Sequence, residues 1–356
     1  MTRLLRPTVA LLLAVALAGC GDDERSGAGN GATGAATTGP GVGTANQGGL
    51  PEQAPAPANP LAGKTFYVDP ANPARRQAEQ YQAQQRSADA QTIRKIGDRA
   101  VAHWLAGGTD ASRDVDAVVT NATSAGQVPV LVAYNIPNRD CGSYSAGGAA
   151  SSDAYRAWIR SVAAGLKGRR AVVVVEPDAV AHAVEGCEGK RDERFALLRD
   201  AVATLKSSAN SLVYVDAGHP AWIGDIPKLA GALQQAGVNG ADGFSLNVSN
   251  FIPTPATLAY GEKLSAALGG RRFVVDTSRN GAGPADGSEV NGGPSWCNPP
   301  GRMLGTAPTT DTGHPKADAL LWIKRPGESD GACRPGEPPA GQWWPDFALD
   351  LAKRSP

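Results

Sequence analysis

Six short apolar runs place the strongest constraint on this chain. They are Val128–Tyr134, Ala171–Val175, Leu212–Val215, Phe244–Val248, Phe273–Val275 and Leu320–Ile323. Each is nearly continuous and rich in β-branched or aromatic residues, as strands covered on both faces should be. Between them lie stretches with helical spacing: Ala154–Leu166, Glu193–Leu205, Ile226–Ala236 and Thr257–Leu268. Ala74–Arg99, further upstream, reads as helical too. Such alternation predicts an α/β fold with a parallel sheet. The pattern alone leaves a doubly wound sheet and a barrel both open.

The residues just after each run point to a site. The six runs lead into Asn135–Cys141, Glu176-Pro177-Asp178, Asp216–Trp222, Asn247–Asn250, Asp276–Asn280 and Lys324–Asp330. In α/β proteins the C-terminal strand ends share one face, and active sites gather there. A polar cleft with aromatic walls is therefore expected. Of the 7 tryptophans, Trp158 in a helix and Trp322 in a strand read as packing. Trp343 and Trp344 read as anchors of a final helix. Trp104, Trp222 and Trp296 remain, beside Gly- and Pro-rich loops or just after a short apolar run. Flat indoles suit the C–H faces of sugar rings, while Asp, Glu, Asn, His and Lys suit their hydroxyls.

The chain ends and its charge bound where it works and on what. Arg3 and Arg6 precede an apolar run from Val9 to Ala18, too short to span a bilayer and fitting a secretory signal. The run ends in Leu17-Ala18-Gly19-Cys20, which resembles a bacterial lipobox and implies cleavage before Cys20 and lipidation of its thiol. Residues 1–20 thus read as a lipoprotein signal peptide and 21–61 as a flexible Gly/Ala/Pro-rich tether. Residues 62–356 read as the catalytic domain. The chain is read as exported, either as a cell-surface lipoprotein or secreted, and as touching the membrane only through Cys20. Gly29–Gly34 matches GxGxxG, but no strand precedes it and no helix comes after, so a nucleotide site fails its context test. With 34 Lys+Arg against 34 Asp+Glu, nothing favours nucleic acid. Beyond Cys20 four cysteines remain, Cys141, Cys187, Cys297 and Cys333. Two disulfides are expected of an exported chain, with three connectivities open and pairing in chain order closing the shorter loops. No CxxC or HExxH spacing suggests a metal, and no cofactor is expected.

The strings VAYNIPNRDC, VVVVEPD, YVDAGHPAW, NVSN, VVDTSRNGAGP, WCNPPGR and LLWIKRPGESDG occur in this order. Together they resemble glycoside hydrolase family 6, over about residues 62–356. The resemblance implies a distorted parallel β/α barrel, TIM-like, and inverting hydrolysis of β-1,4-glucan chains such as cellulose. It implies Asp178 as the general acid, Asp140 as the carboxylate that supports it, and Asp330 as the candidate base. A water relay toward Asp140 is the competing base. It further implies Lys324 and Glu328 as sugar-binding residues and Tyr134 as the residue that crowds the sugar at the cleavage point. Trp104, Trp222 and Trp296 become stacking platforms, and Asp216, His219 and Asn250 cleft-lining polar positions. Inversion needs one protonated carboxyl to donate to the departing oxygen and one base to activate water on the opposite face.

One position departs from the family pattern. Many members carry Ser six residues beyond the supporting Asp, where this chain has Ala146, with Ser145 beside it. The stretch from Asp330 to Cys333 is short, which predicts an open cleft and internal cutting by a monomeric endo-β-1,4-glucanase. An exo-acting cellobiohydrolase, a non-catalytic glycan-binding surface lipoprotein and an enzyme acting on the producer's own envelope glycan stay as alternatives.

Overall fold

The computed structural model describes residues 58–187 and 190–356. The segment read as a signal peptide, Cys20, and the segment read as a tether up to residue 57 lie outside the described residues. Residues 59–61, read as tether, already belong to the fold. Leu61 is fully buried, Asn59 Nδ2 donates to the Asp318 carbonyl at 2.9 Å, and the Pro60 carbonyl accepts from Arg170.

Seven parallel strands form one sheet: β1 (His103–Leu105), β2 (Val130–Ala133), β3 (Ala171–Val175), β4 (Ser211–Asp216), β5 (Gly243–Leu246), β6 (Arg272–Asp276) and, after a short hairpin of β7 (Glu289–Val290) and β8 (Gly293–Pro294), β9 (Ala317–Leu321). Their spatial order is their chain order. A doubly wound sheet reverses order at a switch point, so the uninterrupted order decides for a curled half-barrel. The seam between β1 and β9 is crossed by the Ala102 N–H donating to the Trp322 carbonyl at 3.0 Å. There the Trp104 indole also donates to the Ile323 carbonyl at 2.8 Å.

Strand alternation sorts the core into two layers. Val132, Val174, Tyr214, Val274 and Leu321 fill the barrel interior, where Leu61 and Phe66 plug the N-terminal end. Leu131, Val173, Val213, Phe244 and Val275 face outward. Those residues pack on α3 (Ala111–Ser124), α4 (Ser152–Leu166), α6 (Arg191–Lys206), α7 (Ile226–Gln235) and α8 (Thr254–Ala267). A third cluster joins α1 (Pro73–Ala83), α2 (Ser87–Gly97) and the final α9 (Pro345–Arg354). Trp343 and Trp344 pack against it. Among the described residues no helix is long and apolar enough to cross a membrane.

Some boundaries differ from the sequence reading. Ala74–Arg99 is two helices, because Gln85 turns left-handed (φ 59°) between them. The last strand begins at Ala317. Asp318 interrupts the apolar run, but its carboxylate is satisfied inside the barrel by the Tyr214 hydroxyl at 2.8 Å and by Arg272 Nε. Trp322 lies one residue beyond that strand, buried, with its indole donating to the Thr306 carbonyl. Trp104, read as lying in a loop or just after a short apolar run, is the middle residue of β1.

Candidate active site

The C-terminal strand ends converge on a cleft of about 890 Å³. β3 runs into Glu176-Pro177-Asp178, where Glu176 and Asp178 both adopt positive φ (48° and 71°). Strained backbone of this kind collects at functional sites. Glu176 is fully buried and accepts the Asn135 and Ile136 N–H groups at 3.0 Å, tying β3 to the loop after β2. Asp178 precedes α5 (Ala179–Glu185), where an aspartate commonly caps a helix. Its side chain makes no capping bond, and the carboxyl lines the cleft instead.

Burial and three neighbours keep Asp178 from ionising. Burial raises its pKa well above the usual carboxylate range, and the charges of Asp216, Asp140 and Asp330 raise it further, against Lys324. The protonated acid is the favoured form. Asp216 ends β4 and was expected on the cleft wall. It is instead 1% exposed, beneath Asp178, accepting the Asp178 N–H at 2.9 Å, the Gly218 N–H at 3.2 Å and the Ser245 hydroxyl at 3.0 Å. Strand alternation turns its side chain inward, so it acts on the site through its field.

Asp140 occupies a short 3₁₀ turn after β2. Its Oδ2 accepts the Ser145 N–H at 2.7 Å and the Ser145 hydroxyl at 2.9 Å. His182 Nε2 stands 3.4 Å from its Oδ1. Burial pushes this carboxyl up, but these donors outweigh burial and hold it below the ordinary range. The Ser145 hydroxyl also lies 2.8 Å from the Tyr134 hydroxyl, so Ser145, not Ala146, joins Asp140 to Tyr134. The loop bends tightly back here. Gly148 (φ 100°) runs so close to Ile136 that a Cβ would meet its carbonyl oxygen at 1.9 Å. Arg139 pins the same loop, donating to the Ser145 carbonyl at 2.8 Å and the Tyr134 carbonyl at 2.9 Å.

Asp330 is held differently. Arg279 Nη1 contacts it at 2.9 Å, Lys324 Nζ at 3.2 Å and the Asn298 N–H at 3.0 Å. Burial pushes this carboxyl up, and the two cations with Asn298 more than offset it. Arg279 itself is fully buried. Asp276 fixes the surrounding backbone, accepting N–H groups from Ser249, Ser278, Ile323 and Lys324. Glu328 pairs with Arg325 at 3.0 Å.

The aromatic walls are in place around these carboxyls. The Trp104 and Tyr134 rings meet edge to face at 5.2 Å, and Trp222 lies between His182 at 4.9 Å and His219 at 5.9 Å. Burial lowers the His219 pKa to about 4, leaving it neutral. Trp296 is 44% exposed at the rim and meets Tyr144 edge to face at 5.6 Å. Asn250, His219, Lys324 and Glu328 also line the cleft. Sequence reasoning missed His182, Arg139, Tyr144 and the anchoring carboxylate Asp276. Disulfides join Cys141 to Cys187 and Cys297 to Cys333. Among the described residues one group, Cys297, Cys333 and Glu337, has converging metal-ligand atoms. Its sulfurs are bonded to each other, and Glu337 accepts the Cys333 and Arg334 N–H groups at 3.1 Å, so the cluster is structural.

Known proteins are similar to this chain over most of its length. Endoglucanase A of Cellulomonas fimi is 42% identical over 295 residues, covering 82% of this chain and 61% of that protein. Endoglucanase 1 of Streptomyces halstedii is 42% identical over 297 residues, covering 80% of this chain and 88% of the relative. The chain thus spans about three fifths of the first relative's length and most of the second's. Among solved structures, the endoglucanase Cel6 of Mycobacterium tuberculosis, in complex with a thio-linked cellobioside, superposes with a TM-score of 0.78. That structure is 46% identical, and the match covers 83% of this chain and 99% of that one. The sequence model of Glycosyl hydrolases family 6 matches residues 61–355, and the chain belongs to that family.

Proposed function

We propose that this protein is an endo-β-1,4-glucanase that hydrolyses internal bonds of cellulose or a related β-glucan with inversion. One observation carries the reading. An acid favoured in its protonated form, Asp178, stands on a strand end next to that of an ionised carboxylate, Asp140, in a cleft walled by Trp104, Trp222 and Trp296. Sugar rings lie on the indoles, and Tyr134 crowds the ring at the cleavage point. Lys324, Glu328, His219 and Asn250 take hydroxyls. Asp178 gives its proton to the glycosidic oxygen as the C–O bond breaks. Water attacks the anomeric carbon from the opposite face and loses its proton to a base.

Asp330 is the candidate base. Its contacts with Arg279 and Lys324 keep it ionised but also lower its proton affinity. That observation favours, as a second reading, a relay through water toward Asp140. Internal cutting accords with the endoglucanases named above and with the short span from Asp330 to Cys333.

A parallel record of viscosity and reducing ends on carboxymethylcellulose tests the reading. Viscosity should collapse before many ends appear, and proton NMR should show the α-anomer first. Ends released without loss of viscosity would indicate exo action, and β-anomer first would overturn inversion. Activity confined to isolated cell wall would move the substrate to the producer's envelope.

Export is the matching location, in line with the two disulfides. We read the chain as a lipoprotein anchored through Cys20, or as secreted. Leu61 and Phe66 enter the barrel at the N-terminal strand ends, opposite the cleft. Fatty-acid labelling of the wild type but not of Cys20→Ser would support the anchor.

A further inference from the structure

We infer that His182 is a positioning residue, which holds Asp140 ionised and aimed at the acid Asp178. The inference rests on the hydrolase reading above. His182 lies in the first turn of α5, four residues after Asp178, which precedes that helix in the left-handed conformation (φ 71°). Its Nε2 stands 3.4 Å from Asp140 Oδ1. That nitrogen is buried and makes no hydrogen bond of good geometry to any described residue, which leaves the Asp140 carboxylate as the group it faces. Ser145 already occupies the second oxygen of Asp140. The carboxylate is therefore divided between two holders, one on each oxygen.

The fold builds this contact in advance. The His182 carbonyl accepts the Gly186 N–H at 2.8 Å and the Cys187 N–H at 2.6 Å. Cys187 is bonded to Cys141, the residue after Asp140. A covalent link thus fixes the end of α5 to the turn that carries Asp140. On its other side the His182 ring stands on the Trp222 indole at 78°, which blocks rotation away from Asp140. The titratable groups around it are Asp140 on the loop after β2, Asp178 just before its helix, Glu185 at the end of that helix, and His219 across Trp222. A donor at Nε2 stabilises the charged form of Asp140. That charge in turn disfavours ionisation of Asp178. His182 also links a sugar platform, Trp222, to the reacting carboxyls through a single ring.

The test compares His182→Leu, which lacks a donor, with His182→Gln, whose amide can reach the same oxygen but does not titrate. Wild type and Asp178→Asn are the references, on carboxymethylcellulose. His182→Leu should lose about 10-fold in kcat with little change in KM, the loss expected for one hydrogen bond to a charge. Its acid limb in kcat/KM should move up by about 0.5–1 pH unit, because Asp140 then gains a proton more readily. His182→Gln should restore most of kcat and the limb. Should His182→Leu fail to fold, His182→Phe, which keeps a ring on Trp222 without a donor, carries the same expectation. An unmoved acid limb in the donorless variant would overturn the inference. So would equal losses in the Gln and donorless variants with matching drops in Tm, since that marks a packing role. A wild type inert on every β-glucan would overturn the hydrolase reading, and this inference with it.

Discussion

At the N-terminal end of the half-barrel, Asp318 sits fully buried against Arg272 Nε and the Tyr214 hydroxyl. At the C-terminal end, Asp178, Asp216, Asp140 and Asp330 crowd together, and Arg279 and Lys324 both go to Asp330. The same strands thus carry a paired carboxylate at one end and mutually repelling carboxyls at the other. The paired end serves stability. The repelling end holds a proton on Asp178 that an ordinary aspartate would release, and that proton is what acid catalysis requires.

The sharpest way to break this comparison is Asp178→Asn. An amide keeps the shape and cannot donate a proton to the departing oxygen. Loss of a general acid should lower kcat by about 10³-fold, within the range for such groups. Tm should hold or rise, because one member of the repelling set is gone. Retained turnover would remove Asp178 from the mechanism, and a falling Tm would mean the cleft end is not strained.

The opposite end should respond in the opposite way. Asp318→Ala removes the carboxylate beside Arg272 and Tyr214 in a buried setting. Breaking such a pair costs about 3 kcal/mol, readable as a lower midpoint in urea, while kcat per folded molecule stays unchanged. Lost turnover in a fully folded Asp318→Ala would show that the two ends are coupled.

The contrast also explains what the sequence could disclose. The buried strands were legible because Val130–Ala133 and Ala171–Val175 are unbroken apolar runs. β1 was not, since three residues with a His and a Trp carry no period. α5 was hidden because it is seven residues long and begins inside the Glu-Pro-Asp string. The sequential strand order was beyond the pattern, as alternation serves a wound sheet equally well. In the site, polar strand ends announced a cleft, but the separate roles of Asp178, Asp140 and Asp330 came from family resemblance. Asp216 was misplaced because the position after an apolar run does not say which face a side chain takes. Its parity with Tyr214, which faces inward, held that information. His182 was hidden with α5, and its contact with Asp140 is long-range.

The smallest expected effect concerns Asp216. Burial pushes its pKa up to about 6, with the Asp178 and Gly218 N–H groups and the Ser245 hydroxyl opposing. Its charge is the foremost electrostatic cause of the raised Asp178 pKa. Asp216→Asn keeps an acceptor for the Asp178 N–H but carries no charge. Asp178 should then ionise at lower pH, and the alkaline limb of kcat should move down by about 0.5–1 unit. Stability has a matching sign. Both carboxyls have folded pKa values above their unfolded ones. Their contribution is therefore full below the unfolded carboxylate range and is lost as pH rises through the folded values. Relative to wild type, Asp216→Asn should therefore lose less Tm as pH climbs from about 4 past 6, a flatter slope. If the alkaline limb stays put while the slope flattens, desolvation with Asp140 and Asp330 holds the proton on Asp178. Asp216 would then belong to the architecture of the strand end, as Asp318 does at the other.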